Sequence, residues 1–271
     1  MPELPEVETT RRGIAPHVLG RTVTRVILRQ PRLRWPIPET LPERLQRRKL
    51  LRLERRGKYL LLGFRHGSLI LHLGMSGSLR VLPADTPAEK HDHFDLVFGN
   101  QCLRLRDPRR FGAVLWTEQD VAKHPLIAHL GPEPLSEDFD GTYLFERSRN
   151  RKMAVKPFIM DGRTVVGVGN IYANEALFRA GIAPTRTCGR ISAERYERLA
   201  LAIRDILATA IECGGTTLQD FLQADGNPGY FARELQVYDR AGQPCPRCGT
   251  GIRHGTQAQR STYYCPRCQR Y

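Results

Sequence analysis

The sequence lacks any apolar run long enough to form a membrane-spanning helix. Its apolar stretches, such as 60–62 and 69–71, are only a few residues long, whereas a bilayer span needs about 20 residues. The opening MPELPEVETTRR has acidic residues where a secretory signal has a basic and then an apolar region. We therefore expect a cytoplasmic protein with no membrane partner.

Nucleotide-binding signatures are also missing. The run VGVGN at 166–170 lacks the third glycine of a dinucleotide-binding loop and the alternating strands and helices that surround one. The sequence has no Walker A motif, no internal repeat and no low-complexity segment. We therefore expect no nucleotide cofactor.

Acidic residues are scarce relative to basic ones. The 271 residues include 28 Asp and Glu against 42 Lys and Arg, a formal net charge of +14. So large an excess repels itself in the folded state and is typical of proteins that bind a polyanion. A membrane surface would require a strong basic amphipathic helix, which the sequence does not have. Nucleic acid is the favoured partner, and the alternative is a basic protein kept soluble by its charge.

The rest of the composition is that of a globular protein. Hydrophobic residues make up 41% and charged residues 26%, which excludes wholesale disorder, and the length suits about two domains. After one opening helix, residues 2–131 read as short β-rich segments separated by turns, which predicts an antiparallel sandwich or barrel. The predicted strands are 22–28, 58–64, 68–74, 78–82, 94–98, 102–106 and 112–116.

Helical periodicity replaces the β pattern in residues from about 136 to 225. One apolar stripe runs from Ser192, a predicted N-cap, to Gly214, where the helix should end. The stripe consists of Tyr196, Leu199, Ile203, Ile206, Leu207 and Ile211. A preceding helix is expected to have Asn170 as its cap and to end at Gly181. Two such helices form a helix-turn-helix-like hairpin, a shape found in DNA-binding proteins and in plain bundles.

Four of the seven cysteines form a regular pattern within residues 237–271. Two CPRC motifs, Cys245 with Cys248 and Cys265 with Cys268, are separated by 16 residues, a spacing typical of a zinc ribbon. The alternatives are a redox CxxC, which needs only one pair, and two disulfides, which a reducing compartment opposes. Four thiolates leave zinc no open position, so we expect one structural Zn²⁺ that catalyses nothing.

Residues 245–271, which contain both motifs, also have many arginines and no acidic residue. Guanidinium groups bind phosphate oxygens through paired hydrogen bonds, so this segment is expected to contact a nucleic-acid backbone. These arginines are Arg247, Arg253, Arg260, Arg267 and Arg270.

The N-terminus offers a nucleophile. Removal of Met1 ahead of the small residue Pro2 would leave a secondary amine, and an α-amino group with a pKa of about 8 is partly neutral at physiological pH. Such an amine can attack a sugar C1′ to form an iminium that acidifies the C2′ protons, with the adjacent Glu3 as general acid or base. The alternative is structural, because proline and glutamate are ordinary residues at a helix start.

Several longer blocks occur in order along the whole chain. They are MPELPEVETTRRG, LHLGMSGSLR (71–80), KHDHFDLVF (90–98), DPRRFG (107–112), VVGVGNIYANEALFRAGI (165–182), and the closing CPRC followed by AQRSTYYCPRC. Together these blocks resemble the bacterial formamidopyrimidine-DNA glycosylases, the family that repairs 8-oxoguanine.

The resemblance implies an α+β multidomain fold. Its parts are an N-terminal antiparallel β-sandwich with an opening helix (2–131), a helix-two-turn-helix DNA-binding domain (132–236) and a C-terminal four-cysteine zinc-finger β-ribbon (237–271). It also implies that the loop 217–237 covers an extruded base.

The resemblance implies four catalytic residues. Pro2 matches the Schiff-base nucleophile of the family, and Glu3 matches its general acid/base. Lys58, in RRGKYL, matches a lysine that contacts DNA phosphate and assists strand cleavage, although by itself it would read as a surface lysine at a strand start. Arg260, in AQRSTYY, matches a finger arginine that grips phosphates beside the lesion and assists the second elimination.

Further positions are implied to bind DNA. Met75, Arg109 and Phe111 match residues that fill the space left by an extruded base, as an apolar wedge and a planar cation would. If Met75 and Phe111 served core packing instead, both would be buried. The implied phosphate contacts are His91, Arg110, Arg151 and Asn170, of which Asn170 stands at a helix start suited to an anion. The His-Asp-His run at 91–93 also permits a metal reading.

The implied activity is that of a bifunctional glycosylase and AP lyase. It removes oxidised purines from damaged double-stranded DNA through a Pro2 Schiff base and then carries out β,δ-elimination, acting as a monomer in the bacterial cytoplasm. The nearest alternative is the endonuclease VIII family, which shares Pro2, Glu3 and the finger and prefers oxidised pyrimidines. A non-catalytic zinc-ribbon protein that binds damaged DNA is the alternative of another class.

Overall fold

The computed structural model describes residues 2–215 and 234–271. These form two compact units: the first unit comprises residues up to 128 together with 213–215, and the second comprises 129–212 and 234–271. The loop predicted at 217–237 lies, apart from its last four residues, outside the described part of the chain. The domain boundaries after 131 and 236 stay predictions.

The first unit is built on two antiparallel sheets. Its strands are β1 (Arg25–Leu28), β2 (Arg52–Arg56), β3 (Tyr59–Phe64), β4 (Gly67–His72), β5 (Ser78–Pro83), β6 (Asp92–Phe98), β7 (Gln101–Arg106) and β8 (Ala113–Thr117). They pair in the orders β1-β6-β7-β5 and β2-β3-β4-β8, and all neighbours are antiparallel. The predicted antiparallel β-sandwich is therefore confirmed.

One apolar core lies between these sheets. In β3 the alternate residues Leu60, Leu62 and Phe64 face it, and Leu96 and Leu103 contribute from the other sheet. Because successive side chains of a strand point to opposite faces, one face of β3 lies against this core, and Leu61 and Gly63 on its other face are buried as well. The first helix, α1 (Leu4–Val18), adds its own apolar stripe to the same core, so the chain start is fixed by the packing of the whole unit.

Helix α1 has residues typical of helix termini at both of its ends. Pro5 and Glu6 occupy the first turn, and Glu3 is the N-cap of a capping box with Glu6. Gly20, with φ +77°, follows the helix and adopts the left-handed conformation that favours glycine.

Two elements of the first unit were not predicted. Strand β2 has the sequence RLERR, in which only Leu53 is buried, so it shows little of the apolar alternation that indicates a strand. Its charges suit its place at the edge of the sheet. The short helix α2 (Leu41–Leu45) was missed because a single turn is too short to show a period, although Leu41 and Leu45 are fully buried.

The second unit is helical with a small β-hairpin. Its helices are α3 (Gly141–Ser148), α4 (Val155–Met160), α5 (Asn170–Arg179) and α6 (Ala193–Glu212). All six residues of the predicted α6 stripe are buried, which confirms that stripe. The prediction that Asn170 caps α5 was wrong: Gly169 is the N-cap with an extended backbone, and Asn170 is the first helical residue.

The hairpin of the second unit consists of β9 (Arg253–Gln257) and β10 (Arg260–Tyr264). Its two-residue turn has Ala258 at φ +48° and Gln259 at φ +59°, the left-handed pair that a twisted two-residue hairpin turn requires. No helix within 2–215 and 234–271 is both long and apolar enough to cross a membrane.

Candidate catalytic and nucleic-acid-binding residues

The chain start is held inside the first unit. Pro2 is buried, and Glu3 is only 1% exposed. The backbone N–H of Glu3 donates to the Glu6 carboxylate at 2.8 Å, while the Glu3 carboxylate accepts the backbone N–H of Glu6. A side chain at Gly215 would place its Cβ 3.1 Å from Glu6 Oε1. The position of Glu3 is therefore set by backbone geometry and tight packing.

A chain of polar contacts connects helix α1 to the turn that contains Lys58. Arg55 Nε donates to Glu8 Oε2 at 3.1 Å, and Arg55 Nη1 donates to the Gly57 carbonyl at 3.0 Å. Lys58 is half-buried next to Gly57 in the turn between β2 and β3. The sequence predicted it at the strand start, but β3 begins one residue later, at Tyr59. Arg55 thereby links the helix of Pro2 and Glu3 to the turn of Lys58.

The Glu8 carboxylate remains charged within this link. Burial would raise the pKa of Glu8, but hydrogen bonds from Arg11 and Arg12 and the charges of Arg11 and Arg55 lower it to about 2. Arg11 Nη2 lies 2.8 Å from Glu8 Oε1. Because opposite charges favour the ionised carboxylate, the link is intact at neutral pH.

His72 lies close to Lys58 and was missed by sequence reasoning. It pairs with Tyr59 across β3 and β4, and their ring centroids are 4.9 Å apart. Burial lowers the pKa of His72 to about 4, with further lowering by the charges of Lys58 and Arg34. The imidazole is therefore neutral, with Nδ1 accepting the Gly74 N–H at 3.0 Å and Nε2 carrying the hydrogen. In the sequence His72 lies inside the predicted strand 68–74, and no pattern distinguishes it there.

Two loops of the first unit carry the residues expected to fill an emptied base position. Met75 is half-buried in the loop between β4 and β5, whereas Phe111 is 45% exposed in the loop between β7 and β8. The Arg109 guanidinium carbon lies 4.9 Å from the centre of the Phe111 ring, a cation–π distance. Neither apolar residue is buried in the core, so the packing alternative for them is wrong.

A buried polar pair joins these two loops. Asp107 is fully buried and Ser76 is 7% exposed. Ser76 Oγ donates to Asp107 Oδ1 at 3.0 Å, and the Gly112 N–H donates to Asp107 Oδ2 at 2.8 Å. The Arg109 N–H donates to Ser76 Oγ at 3.2 Å. Sequence reasoning passed over Ser76 and Asp107, although both lie within the family-like blocks.

His91 and Arg110 stand in turns of the first unit. His91 has φ +79° and Arg110 has φ +55°, and Arg110 is exposed whereas His91 is half-buried. Among the described residues, the four cysteines are the one group of three or more potential ligands placed to hold a metal ion. The alternative that the His-Asp-His run at 91–93 binds a metal ion therefore has no support.

The second unit contains the other expected phosphate contacts. Asn170 opens α5, and its Oδ1 is buried without a hydrogen-bond partner. Arg151 is half-buried, with its guanidinium carbon 5.8 Å from the Phe158 ring centre. Arg260 is exposed and opens β10 directly after the hairpin turn.

Buried polar side chains tie the hairpin to the helices of the second unit. Lys156, in α4, is 1% exposed, and its Nζ donates to the Ser261 carbonyl at 2.7 Å and to Thr262 Oγ1 at 2.8 Å. The Tyr263 N–H donates to Asn174 Oδ1 of α5 at 2.9 Å. Lys156 was not recognised in the sequence, where a lone lysine before a proline reads as a surface residue.

The four predicted zinc ligands converge on one point. All four Sγ atoms lie within 4.8 Å of one another, with Cys245 to Cys268 at 3.9 Å and Cys248 to Cys265 at 3.5 Å. A tetrahedral zinc ion with bonds of about 2.3 Å requires sulfur separations of about 3.8 Å. The backbone N–H of Arg247 donates to Cys245 Sγ at 3.4 Å, as suits a thiolate. The donor set fits one structural Zn²⁺ and leaves it no open position.

The fold and these residues fit a zinc-finger protein that binds nucleic acid and has a candidate nucleophile at the buried start of its first helix. Three family models match the chain: the formamidopyrimidine-DNA glycosylase N-terminal domain (1–114), the H2TH domain of the same glycosylase (130–222), and a zinc finger found in FPG and IleRS (242–270). Formamidopyrimidine-DNA glycosylases from Marinobacter nauticus and Methylococcus capsulatus are each 60% identical over 271 residues, covering all of both chains.

Solved structures give the same result. The MutM (Fpg) protein from Thermus thermophilus is 41% identical, with 99% of this chain and 98% of that chain covered and a TM-score of 0.89. An Fpg from Lactococcus lactis, in complex with DNA containing Fapy-dG, is 35% identical with full coverage of both chains and a TM-score of 0.93. The chain belongs to the formamidopyrimidine-DNA glycosylase family.

Proposed function

We propose that this protein is a base-excision repair enzyme that removes 8-oxoguanine and formamidopyrimidines from double-stranded DNA and then cleaves the abasic strand. The observation that carries the proposal is the pairing of Pro2 and Glu3 at the buried start of α1 in a chain 60% identical to named formamidopyrimidine-DNA glycosylases. The enzyme acts as a monomer on the DNA of the bacterial cytoplasm and needs no nucleotide cofactor.

Pro2 and Glu3 carry the chemistry in this proposal. Once Met1 is removed, the Pro2 nitrogen attacks C1′ of the damaged nucleotide, and the bond from C1′ to the base breaks with its electron pair leaving on the base. The departing base takes up a proton. The attached nitrogen loses its proton, and its lone pair then opens the sugar ring: the C1′–O4′ bond breaks and O4′ takes up a proton, which leaves a C1′ iminium. Glu3 supplies the general acid and base catalysis for these proton transfers, and its rigid position next to Pro2 keeps it within reach.

The iminium then drives strand cleavage. Its positive charge acidifies a C2′ proton, whose removal expels the 3′ phosphate by β-elimination, and δ-elimination expels the 5′ phosphate. Lys58 binds a backbone phosphate next to the reacting sugar, a role for which Arg55 fixes its turn. Arg260 grips the phosphates that flank the lesion and assists the second elimination.

The remaining site residues bind DNA. Met75, Arg109 and Phe111 enter the duplex where the base leaves, since Phe111 is exposed and carries the Arg109 cation on its ring. The backbone phosphates are bound by His91, Arg110, Arg151 and Asn170. The zinc ion of Cys245, Cys248, Cys265 and Cys268 would fold the finger that presents Arg260, and it takes no part in the reaction.

Borohydride trapping tests the reaction. A duplex with one 8-oxoguanine opposite cytosine is incubated with protein shown to lack Met1, reduced, and mapped by peptide mass spectrometry. We expect a covalent adduct on Pro2, slower adduct formation with Pro2→Gly, which replaces the secondary amine by a primary one, and excision strongly reduced with Glu3→Gln. Binding without an adduct in the wild-type protein would contradict the proposal and favour a non-catalytic binder.

Oxidised pyrimidines are a second candidate substrate. One related structure shows an Fpg from Lactococcus lactis, 35% identical to this chain, in complex with DNA that contains an oxidised pyrimidine. The trapping assay is therefore repeated with thymine glycol in the same duplex. Faster trapping on thymine glycol than on 8-oxoguanine would assign the endonuclease VIII type of activity instead.

A further inference from the structure

We propose that Ser76 and Asp107 form a positioning clamp that holds Met75, Arg109 and Phe111 in the arrangement needed to displace a base. The clamp has a role in the reaction only if those three residues enter DNA, so the inference rests on the proposed function. Ser76 and Asp107 are buried and act through the residues that they hold.

The Asp107 carboxylate uses both of its oxygens to join the two loops. Oδ1 accepts the Ser76 hydroxyl at 3.0 Å and Oδ2 accepts the Gly112 N–H at 2.8 Å. Ser76 Oγ in turn accepts the Arg109 N–H at 3.2 Å. The clamp thus fixes the backbone of Arg109 and of Gly112, which directly follows Phe111. It also fixes Ser76, which directly follows Met75.

The backbone of Asp107 anchors the clamp to the sheet. Its N–H donates to the His91 carbonyl at 3.0 Å. Its carbonyl accepts the Arg110 N–H at 3.2 Å and lies 2.9 Å from Nε2 of the buried His93 in β6. A site supported by a strand is held more precisely than one supported by a loop alone.

Glycines bring the two loops into direct contact. A Cβ at Gly74, which has φ +67°, would lie 2.5 Å from both Gly112 N and the Phe111 carbonyl carbon. A Cβ at Gly112 would lie 2.7 Å from the His72 carbonyl oxygen and 3.0 Å from Asp107 Oδ2. Such distances leave room for glycine only, so the clamp joins loops whose backbones already touch.

The clamp is needed because the residues it holds do not fix themselves. Phe111 is 45% exposed and Arg109 is exposed, so the conformation of this loop must come from its backbone contacts. A loop that is ordered only on binding loses affinity to the entropy of ordering, and a displacement of about 1 Å can cost about 100-fold in rate. Loss of the clamp should therefore slow base displacement more than chemistry at a sugar without a base.

The test compares two substrates under single-turnover conditions. One duplex contains 8-oxoguanine opposite cytosine, and the other contains a preformed abasic site, which has no base to unstack. We expect Asp107→Ala to slow excision of 8-oxoguanine about 100-fold and to slow Schiff-base trapping at the abasic site less than about 10-fold. A 2-aminopurine next to the lesion should report weaker insertion by a smaller fluorescence change.

Two matched variants separate the clamp from a general effect on folding. Asp107→Asn should remain within about threefold of the wild type, because its amide oxygen can accept from Gly112 while its NH₂ donates to the Ser76 oxygen. Ser78→Ala alters another buried serine, two positions along at the start of β5, and should have no effect on either substrate.

Ser76→Ala provides a second, independent test of the clamp if Asp107→Ala does not fold. We expect it to slow 8-oxoguanine excision measurably, and to slow it less when Phe111 is already alanine, because part of the effect of Ser76 passes through Phe111. Equal slowing on both substrates by every folded clamp variant, or additive effects with Phe111→Ala, would overturn the clamp. Failure of the wild-type protein on both substrates would instead refute the proposed function.

Discussion

In the first unit, exposed candidate residues stand on loops that are fixed by buried hydrogen bonds beside a large apolar core. In the second unit, Arg260 stands on a hairpin whose apolar core contains little more than Phe178, Val237 and Ile252 besides cysteines. A large core can make its loops rigid without a metal, whereas so small a module needs one. The loops of the first unit and the hairpin of the finger are therefore held by different physical means, and the following changes in the free energy of unfolding should distinguish the two cases.

Zinc removal should have the largest effect, and only on the finger. A structural zinc site of this kind contributes about 10–16 kcal/mol to folding, so a chelator or Cys265→Ser should unfold β9 and β10. Both tryptophans, Trp35 and Trp116, lie in the first unit, and their fluorescence should not change. Cys213→Ser is the control, because Cys213 lies outside the four-cysteine cluster. A matching loss of tryptophan signal would show that the first unit also depends on zinc.

Substitution of buried polar side chains should have the next largest effect on the free energy of unfolding. The effect should be greater in the first unit than in the second. Arg104 is 3% exposed and donates to both oxygens of the fully buried Asp95 at 3.0 Å. Arg104→Met should cost about 3–5 kcal/mol, because it breaks a buried ion pair. Lys156→Met should cost about 1–3 kcal/mol, because it leaves the Ser261 carbonyl and the Thr262 hydroxyl without their donor.

Urea unfolding followed by tryptophan fluorescence measures the Arg104 change, and hydrogen exchange over 253–264 measures the Lys156 change. Arg106→Met is the matched control, since Arg106 pairs with the largely exposed Glu89 and such surface pairs contribute little. A cost for Arg106→Met equal to that for Arg104→Met would show that burial does not govern these costs.

Acid should destabilise the first unit through His72. Because the folded state holds the pKa of His72 at about 4 against 6.5 for the free residue, its contribution is complete above pH 6.5 and is lost as the pH falls towards 4. The loss should approach about 3 kcal/mol at pH 4. Glu8, whose pKa is about 2, loses its contribution only between pH 4.5 and 2.

Urea midpoints at pH 7.5 and pH 4.5 measure this dependence. His72→Asn keeps an acceptor for the Gly74 N–H but removes the titrating group, so its midpoint should change less between the two pH values than that of the wild type. Equal changes in both proteins would assign the acid sensitivity to other groups.

Exposed contact residues should have the smallest effect on stability. Phe111→Ala and Arg260→Ala should each change the free energy of unfolding by less than about 0.5 kcal/mol. They should differ in DNA binding: Arg260→Ala should reduce the salt dependence by about one phosphate contact, and Phe111→Ala should leave it unchanged. DNA titrations from 50 to 200 mM salt compare them. The same salt slope for both variants would contradict a phosphate contact by Arg260.

Sequence reasoning predicted what depends on local patterns. The β-rich segments, the α6 stripe and the cysteine spacing each follow from a period or from ligand geometry, and the structure confirms them. The roles of Lys58 and Arg260 came from family resemblance, which also decided between the catalytic and the structural interpretation of Pro2, and all these roles stay predictions.

What the sequence could not predict depends on tertiary contacts. The Asp107 carboxylate meets Ser76 only after β4, β5, β7 and β8 have assembled, and Lys156 meets Ser261 across more than a hundred residues. The low pKa of His72 requires burial beside Lys58 and Arg34. None of these contacts produces a periodic pattern in the sequence.

The edges of the two sheets have a consequence for the behaviour of the protein in concentrated solution. An exposed strand edge is a template on which other chains can add strands and aggregate. Edge strand β2 has the charged residues Arg52, Glu54 and Arg56, which oppose such pairing. Edge strand β5 ends at Pro83, which has no N–H to donate to a neighbouring strand. The charged residues of β2, which prevented its prediction as a strand, thus also oppose pairing between the sheets of separate molecules.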